Sequence, residues 1–151
     1  MSTFVAVVLV LFSSIGSATA QIGDRIKRAM GDVAAELQVC SVYFRIEWSC
    51  LRPQEPALAR TYGEMFDKVA ESAITSFRRV GVWDEVYAAQ ASLYTEAMMK
   101  AMRGDCTNIA VLRRRYSKFC QRLSGDPDLR LKEWITCVRA RRRTCGGPGL
   151  P

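Results

Sequence analysis

From Asp24 onward, apolar side chains return every three or four positions, the spacing that places them on one side of an α-helix. Ile26, Met30, Val33, Leu37, Cys40, Phe44 and Leu51 form the first such stripe, with Cys50 on its flank beside Val39, Tyr43 and Ile46. Pro53 and Pro56 end it, because proline lacks the amide hydrogen a helix interior needs. A second helix is expected from Glu55 or Pro56, with Leu58, Tyr62, Met65, Val69, Ala73, Phe77 and Val80 inward, stopping at Gly81. A third runs from about Trp83 to Met102, with Val86, Gln90, Tyr94, Ala97, Met98 and Ala101 along one side.

Gly104 breaks the pattern, and Asp105 or Thr107 can cap the next helix by accepting a free backbone N–H. This fourth helix carries Ile109, Leu112, Tyr116, Phe119, Cys120 and Leu123 inward. After Ser124-Gly125, the run Asp126-Pro127-Asp128 supplies an N-cap, a first-turn proline and a carboxylate near the positive helix end. A short fifth helix then bears Leu131, Trp134, Ile135 and Val138. The fold class expected is all-α: a disulfide-stapled up-down bundle of four to five helices, since short connections favour antiparallel neighbours.

Residues 1–20 differ from the rest. They carry no charged side chain, and Phe4–Phe12 is unbroken apolar sequence, shorter than the roughly 20 residues of a membrane span. Ala18-Thr19-Ala20 fits the small-residue pattern of a signal-peptidase site, although no Lys or Arg opens the segment. The expected organisation is a signal peptide over 1–20, one helical domain over 21–145 and a flexible tail over 146–151, where Gly and Pro recur. The exported product would be periplasmic or secreted, with no transmembrane segment in the mature chain. The excess of Arg over Lys, 17 to 5, and the lack of an Asn-x-Ser/Thr acceptor lean toward a bacterial periplasm.

Cysteine usage points the same way. Cys40, Cys50, Cys106, Cys120, Cys137 and Cys145 all come after residue 20, and an even set in an oxidising compartment reads as disulfides. Zinc would want closer pairs, and there is no histidine to help. If the first and fourth helices are antiparallel, Cys50 meets Cys106 and Cys40 meets Cys120, leaving Cys137 for Cys145. That is one of 15 ways to pair six cysteines.

The missing histidine also removes Ser-His-Asp and Cys-His hydrolases and H-E-x-x-H zinc proteases. Glu64, Asp67 and Glu71 share a helix face, but Arg60 and Lys68 lie within a turn, so an ion-paired solvent face is expected rather than acid–base chemistry. Met98, Met99 and Met102 resemble a thioether set for Cu(I), yet their spacing is that of ordinary core residues, and no cofactor is expected.

Charge supplies the one functional lead. Residues 21–102 carry 10 Lys+Arg against 11 Asp+Glu, whereas residues 103–151 carry 12 against 4. The candidate binding residues are Arg113, Arg114, Arg115, Lys118 and Arg122 on the fourth helix, and Arg139, Arg141, Arg142 and Arg143 near the end. Such clusters suit an anionic partner: an acidic protein, an envelope glycolipid or a membrane surface. Nucleic acid is set aside, because Tyr116 and Phe119 lie on the inward stripe and export removes the chain from it. The expectation is a non-enzymatic binding module. A histidine-independent enzyme, a thiol–disulfide exchange protein, and a structural or inhibitory envelope component are the alternatives.

Overall fold

The computed structural model describes the backbone of residues 3–140 and the side chains of residues 23–137 and 140. Five α-helices account for it: α1 (Thr3–Leu51), α2 (Pro56–Val80), α3 (Asp84–Ala101), α4 (Ala110–Gly125) and α5 (Pro127–Arg139), with a 3-10 turn at Cys106–Asn108 before α4. The expected all-α, disulfide-stapled bundle is what forms. The tail over 146–151 and the side chains of residues 1–20 lie outside the described residues, and α1 begins at Thr3.

Local signals act where the sequence places them. Pro56 opens α2, and α2 ends on Gly81, whose φ of 85° is left-handed, a conformation glycine adopts without steric cost. Asp105 departs from this: it accepts the Thr107 amide at 2.8 Å and so caps the 3-10 turn, not α4, whose N-cap Ile109 offers no side-chain bond. Asp126 accepts the Leu129 amide at 2.8 Å, the N-cap expected for α5.

The bundle is organised around α1. Between Val33 and Glu47 this helix is buried on nearly every side, polar residues Glu36, Gln38, Ser41 and Glu47 included. Each of the other four helices packs on it, and they touch one another far less. α2 makes the most extensive contact. It approaches through Ala59, Val69, Ala73 and Phe77, and through Gly63, where an added Cβ would stand 3.4 Å from the Trp48 ring. Leu58, expected inward, is instead exposed, because in the first turn of α2 it is the neighbouring Ala59 that lies against the core. Phe44 and Tyr62 join the two helices with ring centroids 6.1 Å apart.

α3 departs further from its expected orientation. Tyr87, Ala91, Tyr94, Met98 and Met102 face the core, whereas Val86 and Ala101 are exposed. Apolar residues occur on both sides of this helix, so their period alone does not choose which side turns inward. Met98 and Met102 are fully buried and Met99 packs against them, as core residues do.

Candidate anion-binding surface

The seam between α1 and the C-terminal helices positions the basic residues. Glu36, Cys40, Tyr43, Glu47 and Cys50 recur at four- and three-residue steps, which places them along one line of α1. α4 runs antiparallel along that line. Cys40 bonds Cys120 with Cα atoms 5.2 Å apart. Tyr43 and Tyr116 stack with centroids at 6.0 Å. Farther along, Glu47 meets Arg113, and Cys50 bonds Cys106 with Cα atoms 5.3 Å apart. Both interhelical bridges expected from the antiparallel pairing are present. Cys137 is also disulfide-bonded; Cys145 lies outside the described residues.

Two buried carboxylates anchor this seam. Arg113 donates from Nε to Glu47 Oε1 at 2.9 Å and from Nη2 to Oε2 at 2.9 Å, a two-pronged pair. The Tyr43 hydroxyl adds a third donor to Glu47 Oε1 at 3.0 Å. At the other end, Arg130 of α5 grips Glu36 through Nε and Nη2, both at 2.7 Å. The same guanidinium reaches Glu133 at 3.0 Å and lies 5.8 Å from the ring centroids of Phe119 and of Trp134. Trp134 Nε1 completes the site by donating to Glu36 at 3.3 Å.

The electrostatics follow from this geometry. Hydrogen bonding to Glu47 and to Glu36 holds the Arg113 and Arg130 protons more tightly than usual. Burial, reinforced by the Glu47 charge, pushes the Tyr43 hydroxyl well above the ordinary tyrosine range.

A one-residue step around α4 leads to a different environment. Arg114, Arg115, Lys118, Gln121 and Arg122 are all exposed and occupy the side of the helix opposite Leu112, Tyr116, Cys120 and Leu123. No Asp or Glu lies anywhere in α4. Arg115, Lys118 and Arg122 surround a shallow depression floored by the half-buried Phe119. Arg115 lies over the Tyr116 ring at 5.3 Å, and Arg122 approaches Glu133 only to 3.9 Å. Arg114 and Lys118, one turn apart, make no ion pair among the described residues.

The nine basic positions picked from the sequence therefore divide. Arg114, Arg115, Lys118 and Arg122 share one outward surface. Arg113 is turned inward onto Glu47. The Arg139 side chain and Arg141, Arg142 and Arg143 lie outside the described residues. Sequence reasoning missed Glu36, Glu47 and Arg130 as structural charges. The available signal was two acids spaced 11 residues apart, on the line of the helix that also carries Cys40 and Tyr43.

Other candidate chemistry disperses. Glu64, Asp67 and Glu71 are exposed, and they make no salt bridge to Arg60 or Lys68 among the described residues. Cys106, the cysteine nearest a helix start, is bonded to Cys50. Among the described residues, no cluster of three or more His, Cys, Asp or Glu is placed to hold a metal ion, and no helix is long and apolar enough to cross a membrane. No protein-family model, curated protein or solved structure matches the chain.

Proposed function

We propose that this protein is an exported, disulfide-bonded binding module, without catalytic activity of its own, that docks an anionic partner on the outward face of α4. The observation that carries the reading is the one-sided charge of that helix: four exposed cations, no acid in the helix, and a half-buried aromatic beside three of them. Planar guanidinium groups presented this way match paired oxygens of phosphates and carboxylates. Phe119 adds apolar surface for the adjoining part of a ligand. The disulfides that staple α1 to α4 and to the 3-10 turn before it keep the cations in register and suit an oxidising compartment. A cleavable leader over residues 1–20 would deliver the chain there.

Binding to phosphatidylcholine vesicles with and without an anionic lipid tests the surface. Each cation near such a membrane contributes about 1 kcal/mol, so Arg114→Ala, Arg115→Ala, Lys118→Ala and Arg122→Ala together are expected to weaken binding by two to three orders of magnitude, roughly. Binding is also expected to fade as salt is raised. Equal binding to the uncharged vesicles, or an unaffected quadruple variant, would refute the membrane form of the reading. Retention on a polyanion column without vesicle binding would point to an acidic macromolecule instead. Export is tested separately by the intact mass from the native host, expected to equal Gln21–Pro151 less six hydrogens.

A further inference from the structure

The outward side of α3 mixes polar residues with two large apolar side chains that nothing covers. Tyr87, Ala91, Tyr94 and Met98 pack toward the core. The outward side presents Val86, 44% exposed, and Leu93, 64% exposed, with Ala89 and Glu96 also exposed and Ala97 partly so. Val86, Leu93 and Lys100 stand seven residues apart, and Ala89 and Ala97 lie one turn either side of Leu93. This is the seam spacing of a helix that packs lengthwise against another helix, with small residues where two backbones could approach.

Charge selects the partner. The first turn of α3 is acidic, with Asp84 and Glu85, and the last turn carries Lys100. Neither Glu85 nor Lys100 makes an ion pair among the described residues. We propose that this face pairs antiparallel with the same face of a second copy of the chain, about a twofold axis at Leu93.

The register follows from the positions. Leu93 meets Leu93 of the second copy, and Ala89 falls opposite Ala97. Val86 falls opposite Lys100, whose aliphatic stem covers it while the ammonium reaches Glu85. Because the axis keeps each flank on the same side, the Glu85–Lys100 pair forms twice. A parallel arrangement would instead set acid on acid and base on base. At 18 residues α3 is about 27 Å long, so the strip falls short of the roughly 800 Å² per partner of a standard stable interface. The dimer is accordingly a weak, concentration-dependent one.

Sedimentation velocity on the disulfide-bonded protein, over a concentration series reaching about 1 mM, tests this. The unaltered protein is expected to move from monomer toward dimer. Leu93→Glu is expected to weaken the dimer at least tenfold, and Glu85→Lys or Lys100→Glu alone several-fold. Combining Glu85→Lys with Lys100→Glu is expected to restore it. All three side chains are exposed, so the variants keep the fold, which a thermal melt confirms. A monomer throughout the series overturns the proposal. So does a dimer indifferent to Leu93→Glu, or a charge swap that fails to restore association.

Discussion

Arg113 and Arg114 are neighbours in the chain, yet they have opposite roles. Arg113 belongs to the seam, closed on a fully buried Glu47 and backed by Tyr43. Arg114 belongs to the outward face of α4, where cations stand together without an acid on the helix. One residue of α-helix is about 100° of rotation, enough to move a guanidinium from the interior of the bundle to solvent. A run of like charges is therefore not a functional unit in itself. The helix sorts it, and only the part turned outward is available to a ligand.

The largest expected effect concerns what holds the seam together. Replacing Cys40 and Cys120 by alanine opens a link between residues 80 apart and is expected to cost about 4 kcal/mol, read by denaturant unfolding. A loss below about 1 kcal/mol would mean that the seam's packing and ion pairs hold α4 without the covalent bond.

Next comes the arginine comparison itself. Arg113→Leu strands a carboxylate with no solvent access and is expected to destabilise by about 3 kcal/mol. Arg114→Leu is expected to stay within about 0.5 kcal/mol and to weaken anion binding instead. Equal stability losses at the two positions would erase the distinction between seam and surface.

The smallest effect is a pH dependence. Tyr43 holds its proton more tightly in the folded protein than in the unfolded chain, because burial and the Glu47 charge both disfavour its anion. A raised folded pKa means that the folded state binds more protons above about pH 10. The associated stability is thus present below that pH and is lost as the pH climbs beyond it. Tyr62, Tyr94 and Tyr116 are shifted the same way by burial. Tyrosinate absorbance is expected to appear in step with unfolding, and Tyr43→Phe to soften the alkaline loss. Early, gradual ionisation of all the tyrosines would show the seam to be open to water.

Much of the architecture was legible because its signals are local. Pro56, Gly81 and Asp126 mark helix ends through their own backbone chemistry and need no partner. The disulfides Cys40–Cys120 and Cys50–Cys106 were legible only on the condition that the first and fourth helices lie antiparallel, a condition that packing met. The facing of α3 was not legible, since apolar residues such as Val86 and Tyr87 occur on both sides of it. Nor were Glu36 and Glu47, because an acid on a helix is expected at the surface unless its cation can be foreseen, and Arg130 lies 94 residues from Glu36.

The sequence by itself determined the helical character, several helix ends, an even set of cysteines and the concentration of positive charge after residue 102, all written in short-range patterns or in composition. Tertiary structure decided which helix occupies the centre, which arginines are held inward, and which faces of α3 and α4 remain outward. Those outcomes depend on how whole helices are rotated against one another. That rotation is set by contacts between residues distant in the chain, chiefly the buried Glu–Arg pairs and the apolar faces they accompany.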